Sequence, residues 1–171
     1  MPTFMGAKSL NLYVMMKIKI VAVGKVKEKY FLDGINEYLK RLTRFCDLKI
    51  VEIKEENFVQ EPTESQKLEI LKREGERILK ELKGYVMVMA IEGQKVDSKK
   101  FSKIIKEVKD KDGEMTFVIG GSYGILEEIK EKANLKISFS DMTFPHTLFR
   151  LMLVEQIYRG FMIGENSKYH K

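Results

Sequence analysis

Cysteine, histidine and proline are scarce in this chain, and tryptophan is absent. The 171 residues hold one cysteine, two histidines and three prolines. A single cysteine, Cys46, excludes an internal disulfide and any cysteine-rich zinc site. The two histidines, His146 and His170, leave little for a histidine-based metal cluster, so no metal is expected. No apolar run approaches the ~20 residues that a membrane span needs, which excludes a membrane helix as the working element. The opening MPTFMGAKSLNLYVM carries one lysine and no long apolar stretch behind a basic region, so it does not read as a secretory signal. Internal repeats and Ser/Gly/Pro-rich linkers are also missing, which argues against several domains.

What is present reads as one globular domain in the cytoplasm. The composition is 44% hydrophobic and 33% charged, and Lys plus Arg exceed Asp plus Glu by 31 to 25, a net charge of +6. That surplus points to an anionic partner, although many solvated surfaces carry as much. A chain of this length buries about 70% of its unfolded surface and needs no covalent staple. The strand pattern begins only at Lys17, after an internal Met15-Met16. Residues 1–15 therefore read as a leader or misplaced start, and 16–171 as the single domain.

Hydrophobic periodicity then gives an order of elements. KIKIVAVGK (17–25) and LKIVEIKE (48–55) read as strands, with a helix over 30–45 between them that places Phe31, Ile35, Tyr38, Leu39, Leu42 and Phe45 on one face. A charged helix over 64–83 follows, with Gly84 as its C-cap signal. YVMVMAIEG (85–93) and MTFVIGG (115–121) are continuous apolar runs, as in strands covered on both faces. A helix over 98–109 behind a Ser98 cap, a short helix over 124–133, a strand over 135–140 and an apolar helix over 145–162 complete the chain. Alternating strands and helices predict an α/β fold, a mostly parallel sheet of about five or six strands with helices on both faces.

Ligands in such sheets bind beyond the carboxyl ends of the strands, which singles out three segments. Gly120, Gly121 and Gly124 in FVIGGSYGI let backbone approach a ligand, or simply make a tight turn; the spacing fits neither GxGxxG nor a P-loop. The end of YVMVMAIEG, with Met89, is weaker. In ISFSDMTFPHTLFR, Ser140, Asp141 and Thr143 either cap the next helix or form a polar binding loop, and His146 reads more readily as a packing residue than as a ligand contact. The last helix mixes Arg150, Glu155 and Arg159 into a largely apolar surface, where charges are either paired or functional. The tail, with Asn166, Lys168, Tyr169 and His170, suits phosphate contacts and base stacking, or is a solvated terminus.

GGSYG, the FSDMTFPHTLFRLMLVEQIYRGF block and the NSKYHK tail, taken together and in this order, resemble the RlmH-type methyltransferases of the SPOUT superfamily. KIKIVAVGK and EYLKR fit the same pattern, and the resemblance spans residues 16–171. Three positions depart from it: Ser122-Tyr123 where many members carry Pro-Glu, Asp141 in place of a small residue, and Lys168 in place of a proline. The resemblance implies a C-terminal trefoil knot, a homodimer, S-adenosylmethionine as methyl donor, and methylation at N3 of a pseudouridine in 23S rRNA within the ribosome. Carried over by motif, the donor pocket consists of Met89, Gly120, Phe139, Ser140, Asp141, Met142, Thr143 and Phe144. In the tail His170 is the expected general base, Tyr169 stacks on the target base, and Arg159 holds phosphate or the anionic imide, with Asn166 and Lys168 as further RNA contacts. His146 is the second choice as base. The competing readings are a knotted tRNA methyltransferase and a non-catalytic ribosome- or RNA-binding module.

Overall fold

The computed structural model describes residues 14–166. The expected leader therefore lies almost wholly outside the described residues, and so do Lys168, Tyr169 and His170. The order is β1 (Met16–Val23), α1 (Lys29–Leu42), β2 (Cys46–Ile53), α2 (Glu64–Leu79), β3 (Tyr85–Lys95), α3 (Ser98–Lys111), β4 (Glu114–Ile119), α4 (Glu127–Lys132), β5 (Leu135–Ser138) and α5 (His146–Gly164). The five strands form one sheet in the order β2-β1-β4-β3-β5, and every pairing is parallel. All strand carboxyl ends therefore lie along one edge, where the site is built.

Alternation along the inner strands decides which helix covers which face. Met16, Ile18, Ile20 and Ala22 of β1 join Met87, Met115 and Phe117 against Ile35 and Leu42 of α1, Phe101 and Ile105 of α3, and Leu153, Val154 and Ile157 of α5. The intervening Val21, Val23, Val86, Val88 and Val118 pack instead on Ile78 of α2 and Ile129 of α4. Both faces are covered, so these strands read as unbroken apolar runs rather than as alternation. Burying each such side chain contributes about 1.5–3 kcal/mol, and Leu153, Val154 and Ile157, all fully buried, fix α5 against the sheet.

Several local expectations are adjusted. α1 stops at Leu42, and Phe45 enters the core from the turn behind it, stacked on Phe161 at 5.2 Å. Asp97, not Ser98, caps α3, its carboxylate accepting the Lys100 N–H at 2.8 Å. α2 ends at Leu79, and Gly84, with φ +63°, turns the chain into β3 rather than capping the helix. Thr63 and Gln66 form a reciprocal capping box at the start of α2. No side chain caps α5, which begins directly after Pro145.

Candidate functional site

The carboxyl ends of β3, β4 and β5 meet the start of α5 around a cavity of about 540 Å³, within the roughly 300–1,000 Å³ of small-molecule sites. Met89 before the β3 bulge, Ile119 at the end of β4 and Ile137 near the end of β5 form its apolar floor. Phe139 and Phe149 make an aromatic wall with ring centroids 5.0 Å apart, and Phe101 backs Phe139 edge-on at 6.1 Å. Gly120, Gly121 and Ser122 form one rim, and Ser140, Met142, Thr143 and Phe144 the other.

Two backbone features shape this space. A Cβ on Gly120 would sit 2.6 Å from the Gly124 carbonyl oxygen, and Gly121 and Gly124 bridge each other, with the Gly124 N–H donating to the Gly121 carbonyl at 3.1 Å. GGSYG is thus a tight turn and a cavity rim at once. In β3 the pairing with β5 jumps between Met89 and Gln94. The residues between form a bulge that presents Ala90, Ile91 and Glu92 to the cavity. Gly93 closes that bulge against β5, where a Cβ would lie 2.7 Å from the Ile137 backbone nitrogen.

Glu92 and Lys130 bring charge to the wall, paired at 2.5 Å. The hydrogen bond from Lys130 holds the Glu92 carboxyl below its usual range. Within the third loop Ser138 Oγ donates to the Ser140 carbonyl at 2.8 Å, and the Met142 N–H donates to Ser140 Oγ at 3.0 Å, so the serines shape the loop rather than cap α5.

Of the eight expected donor-pocket residues, Met89, Gly120, Phe139, Ser140, Met142, Thr143 and Phe144 line the cavity together. Asp141 is not among the lining residues and is ion-paired with Lys95. His146, read as a packing residue, is instead exposed and lines the cavity from the first turn of α5. Arg159 lies further along α5, bound by its own turn: Nε and Nη2 donate to Glu155 Oε1 at 3.0 and 2.5 Å. It does not line this cavity. Asn166 follows α5 in the left-handed region, φ +54°, exposed. Sequence reading missed Glu92 and Lys130; the strand-end rule, taken two residues past Ala90, reaches Glu92. Among the described residues no three His, Cys, Asp or Glu side chains gather as a metal site, and no helix is long and apolar enough to cross a membrane.

A parallel α/β sheet with a glycine-rimmed cavity at its carboxyl edge places the chain among α/β proteins of the kind that hold ligands beyond their strand ends. Comparison with known proteins narrows this. Residues 16–170 match the family described as "Predicted SPOUT methyltransferase". The chain is 49% identical over 159 residues to "Ribosomal RNA large subunit methyltransferase H" of Streptococcus gordonii, covering 91% of this chain and all of that one. It is 52% identical over 149 residues to "Ribosomal RNA large subunit methyltransferase H 1" of Thermoanaerobacter pseudethanolicus, covering 85% and 96%. Among solved structures, a probable methyltransferase from Bordetella pertussis aligns with TM-score 0.50 at 10% identity, covering 86% of this chain and 95% of that one. A probable methylase family protein from Haemophilus influenzae aligns with the same score at 12% identity, covering 90% and 70%. These last two show a shared fold. The chain belongs to the SPOUT methyltransferase family.

Proposed function

We propose that this protein transfers the methyl group of S-adenosylmethionine to N3 of a pseudouridine in 23S rRNA, acting in the cytoplasm on assembled ribosomes. One observation carries the reading: the three strand-end loops converge on one cavity, in a chain whose near relatives are named as methyltransferases of large-subunit ribosomal RNA.

The cavity fits the donor. Its volume is that of a small-molecule site, its apolar floor and its aromatic wall accept an adenine, and its glycine rim exposes backbone to a polar ligand edge. Bound there, S-adenosylmethionine supplies an electrophilic methyl group on sulfur. The remaining work falls to the chain. Phe139, Phe144 and Phe149 exclude water from the reacting centre, and the loops at Gly120 and Ser140–Thr143 hold and orient, which supports rate through proximity. His170 accepts the N3 proton of the imide, assistance worth about 10²–10⁴-fold. Tyr169 stacks on the base, and Arg159, Asn166 and Lys168 hold phosphate. Arg159 stands off its own cavity, which supports a place for it at the partner's site in a homodimer. The apolar residues Leu148, Leu151 and Met152 of α5, which line a second cavity of about 610 Å³, support pairing through that helix.

Methyl transfer from labelled donor to undermodified ribosomes, naked 23S rRNA and total tRNA, read by nucleoside mass spectrometry, tests the reading. Methylpseudouridine on ribosomes alone is expected. Label on tRNA overturns the substrate. No label on any RNA, with S-adenosylmethionine also failing to bind, leaves an RNA-binding module.

A further inference from the structure

The run of five lysines between residues 17 and 29 is split by the fold, and only its second half is near the site. Lys17 and Lys19 stand at the amino end of β1, where Lys19 Nζ binds the Glu81 carboxylate and carbonyl, both at 3.0 Å. Lys25, Lys27 and Lys29 lie beyond the carboxyl end of the same strand, on the cavity's edge of the sheet.

Contacts tie this loop to the cavity from two sides. Val23, at its base, packs against Gly121, where a Cβ would lie 2.9 Å from the valine Cγ1. The Gly24 carbonyl accepts Arg150 Nη2 at 3.1 Å, which joins the loop to the first turns of α5. On the other flank Ser122 of the cavity rim donates to Glu55 at 3.0 Å, and a Cβ on Gly24 would meet that same carboxylate at 3.6 Å.

The loop's cations are not consumed by the fold. Among the described residues Lys25 and Lys27 make no ion pair, and both are exposed. The acids of the neighbouring strand end are engaged elsewhere: Glu52 with Arg150 and the Val26 N–H, Glu55 with Ser122, and Glu56 with Arg73 and Arg77. Lys29 is paired at 2.5 Å with Asp33, but both ends of that pair are open to solvent. Glu28 is the loop's own counter-charge. Next to the lysines stands Tyr30, 69% exposed, its ring braced against Phe31 at a centroid distance of 4.5 Å. Exposed cations with a braced aromatic, in a segment that abuts the glycine rim of the cavity through Val23 and Gly121, match a nucleic-acid strand: ammonium groups meet phosphates and a ring meets a base.

We propose that the β1–α1 loop and the first turn of α1 are the RNA-docking edge of this site, with Lys25, Lys27 and Lys29 on phosphates flanking the target nucleotide and Tyr30 stacked on a neighbouring base. The inference rests on the RNA-methyltransferase reading and adds where the RNA lies. It is tested in the full-length protein with K25Q/K27Q, Y30A and, as a control of equal charge loss at the opposite edge of the sheet, K17Q/K111Q. KM for undermodified ribosomes is measured across about 0.05–0.2 M salt, together with the Kd for S-adenosylmethionine.

Each lost phosphate contact weakens binding about fivefold near 0.15 M salt. K25Q/K27Q is therefore expected to raise KM about 20-fold and to lower the salt slope by about two, with the donor Kd unchanged. Y30A raises KM with the slope intact, since stacking releases no counterions. The control stays near wild type. A K25Q/K27Q protein that matches the control in KM and slope overturns the proposal. If wild-type protein binds donor but labels no rRNA, the parent reading fails first and the docking edge falls with it.

Discussion

Replacing Arg150 tests the arrangement that anchors α5 to the sheet. Its side chain is 4% exposed; Nη1 donates to Glu52 Oε2 at 2.6 Å and Nη2 to the Gly24 carbonyl at 3.1 Å, while Nε has no partner. Removing one member of a buried ion pair costs about 3–5 kcal/mol, chiefly because the other is left uncompensated. The two members differ in burial: the Glu52 side chain is 37% exposed and can recruit water, whereas Arg150 cannot. R150M should therefore fall at the low end, about 3 kcal/mol, and E52Q, which strands the buried cation, nearer 4 kcal/mol. The double variant E52Q/R150M should cost less than the two single costs together, by about 2 kcal/mol, because neither charge is then stranded. Urea unfolding at neutral pH, with m unchanged across the set, reads all three values. Additive costs, or R150M within about 0.5 kcal/mol of wild type, would refute the reasoning.

Three further outcomes follow from the same structure. Gly93→Ala drives a Cβ to 2.7 Å from the β5 backbone, so it should cost about 1–3 kcal/mol and weaken donor binding, seen by melting and calorimetry. Burial, with Asp47 adding to it, pushes the Cys46 thiol up to about 12, so the folded protein should not react with a thiol reagent near pH 8 and should react once unfolded. Burial, with Glu55 and Glu56 beside it, raises the pKa of Glu74. A carboxyl raised on folding contributes full stability below its unfolded range and loses it as pH climbs through the folded pKa. The stability of E74Q relative to wild type should accordingly rise as pH climbs above the ordinary carboxyl range of about 4, measured by urea unfolding, and a flat difference would contradict it.

The order of elements was legible because two-sided burial leaves a plain trace, as in the runs at 85–90 and 115–119. Their lateral order was not, since parallel crossovers of similar length permit several arrangements. Asp97 and Ser98 are both good cap residues, and only the extended backbone at Asp97, φ −84° and ψ 170°, decides between them. In the site, glycines and a polar loop behind buried strands pointed to the edge of the sheet where the cavity lies. The charged partners did not show, because Lys95 meets Asp141, Lys130 meets Glu92 and Arg150 meets Glu52 across 46, 38 and 98 residues of chain. Such pairs depend on the β3 bulge and on how α5 returns, which no local pattern encodes.

The central claim is that the cavity holds the methyl donor, and ultraviolet crosslinking of radiolabelled S-adenosylmethionine tests it most directly. Trypsin divides the cavity among three peptides: 84–95 with Met89 and Glu92, 112–130 with the glycine loop, and 137–150 with Phe139 through Phe149. Label confined to these peptides, and competed by S-adenosylhomocysteine, is the predicted result. Label elsewhere in the chain, or none under conditions that saturate a known methyltransferase, would contradict the account.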